Sequence, residues 1–355
     1  MNLLFIITGI GYGDATRIDA IISALLKKHP KTKILIAGYD NSFNYFKNRF
    51  ETIKISGYKF IDSSMKFSIL SFLLSNYFLP IGWVKNIVKI RLMVRKFKPD
   101  LIISDFEPIS VPLSKYLKVK CLTIFGFDPI TFKDAKIKDK KLLLQARYIE
   151  RLYEQSDNVA IPSLLGKKRK TKYISTNPIV RIKPNQLPSE NILMKELKLN
   201  KKPILIMLGG SSLGKKLIKE MNRLSHLYNE KFIVFGLRHK LKLRNKNIKH
   251  IRFEKDFLKY LKVSKGIITL AGHKTLTEAL IYKKPMLIFP IKNHVEQLMN
   301  AYLLRNLAIV NHDINNIKIS LDLFINNIES LASRLPSINA NGAEEIASII
   351  KRLAK

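Results

Sequence analysis

Short apolar runs recur along the chain, and most are followed by a glycine-rich or polar break and then by a stretch with helical spacing. The first run, Leu3–Thr8, leads into Gly9-Ile10-Gly11-Tyr12-Gly13-Asp14 and a helix from Ala15 with Ile18, Ile21, Ile22 and Leu25 on one side. Lys33–Ala37, Pro99–Asp105, Val119–Gly126 and Asn158–Ile161 repeat the strand pattern, with a long helix predicted from about Lys140 to Gln155. These runs are apolar almost throughout rather than alternating, so they predict a parallel sheet covered on both faces. The same order then starts afresh. Pro184–Glu190 reads as a linker, Pro203–Leu208 as a strand, and Gly209–Gly214 as a second glycine loop before a helix. Phe232–Phe235 and Ile248–Phe253 are further strands, and Asp256–Val263 is a short helix. Ile267–Leu270 then gives a strand, Ala271-Gly272 a break, Thr275–Ile281 a helix, and Pro285–Phe289 a strand closed by Pro290. A terminal helix begins at Asn341-Gly342-Ala343-Glu344. Two such series in 355 residues predict an α/β chain of two medium domains, each with its own core.

In doubly wound parallel sheets, ligands sit beyond the carboxyl ends of the strands. The polar clusters Gly272–Glu278 and Asn293–Asn300 both follow strand ends and should face one crevice. Amides at the start of the helix over 273–282, and those of the loop holding Gly210, Ser211 and Ser212, can neutralise a diphosphate without a metal. His273 stands at that helix start as a further donor or simply as a neighbour of it. Glu278 lies one turn beyond Thr275 on the same helix face. Asn293-x-x-Glu296 also fits a capping box, which would make Glu296 structural; Gln297 has no such alternative. Asp105 and Glu107 end a strand, and either could border a ligand or cap the helix expected near Ile109.

The string Gly272-His273-Lys274-Thr275-Leu276-Thr277-Glu278, followed by Pro285, Pro290 and Glu296-Gln297-x-x-Asn300-Ala301, resembles the nucleotide-sugar signature of GT-B glycosyltransferases, most nearly glycosyltransferase family 28. The resemblance implies two Rossmann-like domains facing across a cleft, residues 1–180 for the acceptor and 181–340 for the nucleotide-sugar, with the helix 341–355 crossing back to the first. It implies transfer of a hexosyl or N-acetylhexosaminyl group from a UDP-sugar such as UDP-N-acetylglucosamine to a hydroxyl acceptor, plausible as a lipid-linked one. The transfer would be inverting and metal-independent, with no cofactor beyond the donor. Glu278 would take the ribose hydroxyls, and Glu296 and Gln297 the sugar. Gly11, Gly13 and Arg17 correspond to the family's acceptor-side loop, which usually reads Gly-x-Gly-His-x-x-Arg; here Asp14 replaces the His. An inverting transfer needs a base for the acceptor proton. The only histidine before the linker, His29, lies at the far end of its helix, so Asp14 is the expected base and Asp105 the reserve. Asp14 as N-cap of a helix starting at Ala15 is the structural alternative. Two other functions fit the same fold or charge: a UDP-sugar 2-epimerase, or a basic nucleic-acid or membrane adaptor without catalysis.

Charge enters last. The net charge of +36 would suit nucleic acid, yet only 15 of the 63 basic residues are Arg, the residue suited to bidentate phosphate and base recognition. Nucleic acid therefore ranks below an anionic membrane face as a partner. Phe67–Val84 holds 18 residues without a charge, but Asn76, Pro80 and Gly82 interrupt it and it lies inside the α/β alternation. Trp83–Lys98 reads as a basic amphipathic helix; core packing is expected for most of the region, with a surface dipping into lipid headgroups as the other reading. The single cysteine, Cys121, sits in an apolar run and is expected to be buried. The start of the sequence carries no secretory pattern, so a cytoplasmic protein is expected, peripheral on the inner membrane face if the lipid reading holds.

Overall fold

The computed structural model describes the chain apart from residues 60–65, 127–130, 133–134, 136, 167–172, 209–213, 237–242, 244, 252–255 and 355. It forms two compact units, one of Met1–Ile61, Ile69–Arg181 and Ala340–Lys355, the other of Asp62–Ser68 and Ile182–Asn339.

The first unit is built on β1 (Asn2–Ile7), β2 (Lys33–Gly38), β3 (Glu51–Lys54), β4 (Leu101–Asp105), β5 (Cys121–Ile124), β6 (Asn158–Pro162) and β7 (Ile174–Thr176). All pair in parallel, in the order β3-β2-β1-β4-β5-β6-β7. The central strands are wholly buried, which is why they read as continuous apolar runs. Helices cover both faces: α1 (Gly13–Lys28), α2 (Asp40–Phe46), α3 (Ile69–Ser75), α4 (Leu79–Phe97), α5 (Ser110–Leu117) and α6 (Lys140–Glu154). The terminal helix, α14 (Gly342–Leu353), packs on α1 through Ala343, Ile346, Ala347 and Ile350. Its first residue lies so close to the backbone of Asn177 that a Cβ at Gly342 would come within 1.9 Å of that carbonyl oxygen. Asn177 then donates to Asn341 at 2.6 Å and to Glu345 at 3.0 Å, closing the junction. Cys121 is buried as expected, and burial pushes its thiol pKa up to about 12.

The second unit holds α7 (Glu190–Glu196), β8 (Ile204–Met207), α8 (Lys215–Leu224), β9 (Phe232–Phe235), β10 (Ile248–His250), α9 (Phe257–Val263), β11 (Gly266–Thr269), α10 (His273–Ile281), β12 (Met286–Ile288), α11 (Val295–Leu304), β13 (Ile309–Val310), α12 (Ile317–Asn326) and α13 (Ile328–Ser333). Its described strands are again parallel, in the order β10-β9-β8-β11-β12-β13. Segment 66–68 joins this unit rather than the first. Lys66 bridges Lys292, and the Phe67 amide donates to the Lys292 carbonyl at 2.8 Å.

The expectation of core packing for most of Trp83–Lys98 is met on one side of the helix only. Helix α4 buries Asn86, Ile90 and Val94, spaced to share one face. Its other side carries Ile81, Val84, Val88 and Leu92, at helical spacing, and all are more than half exposed. On α3 no residue is buried, and Leu70, Leu73 and Leu74 stand out at 59–68% exposure. Eleven of the eighteen exposed large hydrophobics among the described residues fall between Ile69 and Met93, so this is a patch and not scatter. Periodicity could not reveal it, because α4 carries two apolar stripes and the core needs only one. Among the described residues no helix is long and apolar enough to cross a membrane.

Candidate active site

Each sheet has one point where successive strands stop adding on one side and begin on the other, and a crevice opens there beyond the carboxyl ends. In the first unit that point lies between β1 and β4. The loop after β1 is held close: a Cβ at Gly9 would come within 1.9 Å of the Tyr39 carbonyl oxygen. Helix α1 begins at Gly13 with Tyr12 as N-cap, so Asp14 belongs to the first turn and is not the cap. Its carboxylate instead takes a hydrogen bond from Arg17 at 2.6 Å. Arg17 is buried, and it also donates through Nε to Asp105 at 2.9 Å and through a terminal nitrogen to the other Asp105 oxygen. Burial pushes the Asp105 pKa up, and the guanidinium beside it pulls the other way. Three residues expected on the acceptor side thus form one cluster, with Asp14 partly exposed and both Arg17 and Asp105 inside. Gly11 and Gly13 flank it on the loop, half-buried.

Phe106 adopts a left-handed backbone, φ 54°, which is rare for a bulky residue and stacks its ring on Phe125 and Tyr153. It turns the chain so that Glu107 points inward. Glu107 is not the N-cap of α5, which begins at Ser110 behind Ile109. It is fully buried, and neither carboxylate oxygen has a hydrogen-bond partner among the described residues. Burial raises its pKa from 4.5 to about 8, with the backbone at Ile109 acting in the opposite sense. Tyr39, Tyr58 and Tyr153 surround this pocket, their phenol pKa values pushed well above the usual 10 by burial first and by the Glu107 charge among the further causes. Thr8 bonds the Tyr39 hydroxyl at 2.7 Å, and the Tyr58 hydroxyl donates to the Phe106 carbonyl at 3.2 Å. Sequence reading missed these three tyrosines because they come from separate segments and share no spacing.

In the second unit the reversal lies between β8 and β11. Gly210, Ser211 and Ser212, expected to hold phosphate there, lie outside the described residues. After β11, Ala271 takes a left-handed turn, φ 64°, and the Asn300 side chain holds it by donating to its carbonyl at 3.1 Å. Asn300 therefore supports the loop. Gly272 is the N-cap of α10, and no described atom lies within 4 Å of where its Cβ would stand. His273 and Glu278 are buried in α10, with Thr275 on the more accessible side. Glu278 is not a solvated helix carboxylate: it is 8% exposed and pairs with Lys274 at 3.0 Å. The N-cap of α11 is His294 rather than Asn293, so the capping box read from Asn293-x-x-Glu296 is one residue out of register. Glu296 lies half-buried in the first turn, and the Gln297 side-chain oxygen accepts from the Ile291 amide at 3.0 Å.

A family model described as Glycosyl transferase family 1 matches residues 1–336. The chain is 24% identical over 233 residues to an uncharacterized glycosyltransferase of Methanosarcina acetivorans, a match spanning 60% of each chain. It is 22% identical to one of Methanosarcina mazei over 85% of this chain and 82% of that one. A UDP-N-acetylglucosamine–N-acetylmuramyl-(pentapeptide) pyrophosphoryl-undecaprenol N-acetylglucosamine transferase of Christiangramia forsetii is 25% identical over 83% of this chain and 78% of its own. That relative bears on the resemblance to family 28. Among solved structures, Arabidopsis thaliana UGT89C1 complexed with UDP superposes with a TM-score of 0.67 at 11% identity, covering 99% of both chains. Such likeness shows the fold, which is GT-B.

Glu107 gives the site a pH signature. Its folded pKa lies above the ordinary value, so its contribution to stability is fully present below about 4.5, declines above that, and is lost as pH rises through about 8. Glu107→Gln removes the ionisable group while keeping the shape. The variant is expected to be more stable than the native protein at pH 7, by about 3 kcal/mol at 1.36 kcal/mol per pKa unit. The gap should close towards pH 4.5, as read from urea midpoints across that range. A variant whose midpoint follows the native pH dependence would show that Glu107 is not held neutral.

Proposed function

The chain belongs to glycosyl transferase family 1, and from that premise we propose that it moves a hexosyl or N-acetylhexosaminyl group from a UDP-sugar to a lipid-linked hydroxyl acceptor at an anionic membrane surface. The observation that carries the donor half is the N-terminus of α10 at the strand reversal, with no described atom within 4 Å of a Cβ at its cap Gly272 and a buried carboxylate, Glu278, one turn inside it. The diphosphate would sit at the helix start beside His273, where amides and the helix dipole favour an anion without a metal. Glu278, already fixed by Lys274, would accept from the ribose hydroxyls, and the Gln297 amide nitrogen with Glu296 would meet the sugar. The Christiangramia forsetii relative, whose name gives UDP-N-acetylglucosamine and a pyrophosphoryl-undecaprenol acceptor, supports this choice of donor and acceptor.

The first unit would take the acceptor. Of the two carboxylates expected as base, Asp105 is enclosed with Arg17, whereas Asp14, in the first turn of α1, is partly exposed. Asp14 would accept the acceptor hydroxyl proton as the oxygen attacks the anomeric carbon. The bond from that carbon to the diphosphate oxygen breaks, and UDP leaves with the negative charge, inverting the centre. Arg17 and Asp105 position Asp14.

The membrane half rests on the exposed stripe of α3 and α4. Segment 66–98 carries seven basic residues and no acidic one, so the apolar stripe is bordered by cations only. A stripe of this kind lies in a headgroup layer, with basic residues meeting anionic lipid.

Three results are expected. Glu278→Ala weakens UDP binding by about 1–3 kcal/mol in calorimetry, the scale of hydrogen bonds to a charged group, with the fold retained; unchanged affinity removes Glu278 from the ribose. Asp14→Asn lowers turnover at least about a hundredfold with UDP-sugar affinity unchanged, measured by mass spectrometry of lipid extracts supplied with nucleotide-sugars; near-native turnover assigns the proton elsewhere. The protein sediments with anionic vesicles, and salt releases it only in part because apolar insertion is not screened. Reversing Arg91 and Arg95 weakens that binding by at least about 2 kcal/mol, from about 1 kcal/mol per basic residue at the surface. A protein that ignores such vesicles at low salt has no lipid face.

A further inference from the structure

The carboxyl ends of β12 and β13 border a cavity of about 220 Å³ that the donor reading leaves unused. Its floor is apolar at Phe289, and Lys66, Lys216, Lys292 and His312 line it. They come from four separate segments: the strap at 66–68, helix α8, the loop after β12 and the end of β13. Their meeting is therefore a product of the fold and not of one basic run. The strap is fixed there by its bridge to Lys292 and by the Phe67 ring lying edge-on to His294 at 5.9 Å. Asp313 is the one carboxylate among the described lining residues, and it is engaged as a cap, accepting from the Asn315 amide at 3.1 Å.

Like charges in excess of their counter-charge repel one another, and His312 registers this. Its pKa is lowered, by partial burial first and by the Lys292 charge second. Lys66 and Lys216 face the same cavity and add to the positive field, while Asp313 alone opposes it. The cavity also shares a wall with the proposed sugar subsite. Gln297 holds the Ile291 amide, and Ile291 stands between Pro290 and Lys292, both of which line the cavity. Strands β12 and β13 lie one and two places from β11, roughly 5 and 10 Å along the sheet from the strand that leads into α10.

We propose that this cavity is a second anion site, taking a carboxylate or phosphate group, separate from the helix start assigned to the donor diphosphate. The group has two possible sources: an acidic substituent on the donor sugar, or free inorganic phosphate. Only the first source rests on the donor reading above. A bound anion would offset the charge of Lys292 and raise the His312 pKa; by reciprocity, binding tightens as pH falls through the His312 range.

Calorimetry at constant ionic strength tests this with inorganic phosphate, UDP-glucuronate and UDP-glucose as probes. The native protein is compared with Lys292→Met and with the double variant Lys66→Met/Lys216→Met, all at exposed positions that the core does not use. Phosphate should bind the native protein and bind Lys292→Met and the double variant at least about tenfold more weakly. If the source is the donor, the native protein also prefers UDP-glucuronate to UDP-glucose by at least about tenfold, and both variants lose that preference while still binding UDP-glucose. Phosphate binding without such a preference assigns the site to free phosphate. Failure of the donor reading is visible separately, as loss of affinity for both UDP-sugars with the phosphate result intact. The proposal is overturned if phosphate does not bind and UDP-glucuronate gains nothing over UDP-glucose, or if native protein and variants bind every probe alike.

Discussion

Arg17 and Asp105 meet inside the first unit at the point where its sheet reverses, and the geometry of the loop above depends on that pair. Removing two charges from water is costly, so a buried pair persists only where hydrogen bonds satisfy it. Here the guanidinium offers two parallel bonds to one carboxylate and a third to Asp14. The result ties the first turn of α1 to the end of β4. The Thr8 amide, donating to the Asp105 carbonyl at 3.1 Å, ties β1 to the same residue. Taking away one partner would leave a buried charge alone, at a cost of about 3–5 kcal/mol. The pair is thus better understood as the anchor that fixes Asp14 than as a reactive group.

Eight non-glycine residues have positive φ among the described ones, and they divide by position. Lys98, Lys118, Lys198 and Lys283 follow helix ends, where a left-handed residue is the usual stop and glycine the usual choice. A lysine there accepts some strain and gains a favourable interaction with the helix dipole. The remaining four, Asp40, Phe106, Ala271 and Asn293, follow the carboxyl ends of β2, β4, β11 and β12. Strain of this kind persists where surrounding contacts over-determine it. At Ala271 the contact is the Asn300 amide, and at Phe106 it is the aromatic stack with Phe125 and Tyr153. Strained turns in both units therefore gather on the side where ligands bind in sheets of this class.

Much of this was legible in the sequence. Fully buried parallel strands such as Leu3–Ile7 and Phe232–Phe235 announce themselves as apolar runs. The edge strands β7 and β13, of three and two residues, are too short to leave a pattern. Capping failed as a guide twice, at Asp14 and at Asn293, because each helix starts one or two residues from where the side-chain pattern placed it. The Tyr39, Tyr58, Tyr153 and Glu107 cluster depends on four separate segments and has no local signal. Nor could spacing tell which apolar stripe of α4 meets the core, since Ile90 and Val88 are equally hydrophobic and only packing distinguishes them.

The charge of the chain acquires a direction from the structure. Excess lysine spread evenly would give only a general attraction to anions, screened beyond about 10 Å at 0.1 M salt. On α4 the cations border an apolar stripe, and that combination differs in kind from charge alone. In the proposed docking, charge would bring the surface to an anionic layer and salt would weaken it; apolar burial would then hold it at a strength salt does not set. A nucleic-acid surface would use the cations but leave Leu73, Val84 and Leu92 facing water. The proposed lipid surface would use both, and would fix which side of the first unit faces the bilayer. The loop around Asp14 and the stripe belong to the same compact unit, so the proposed lipid-borne hydroxyl and the group proposed to take its proton would both meet that unit.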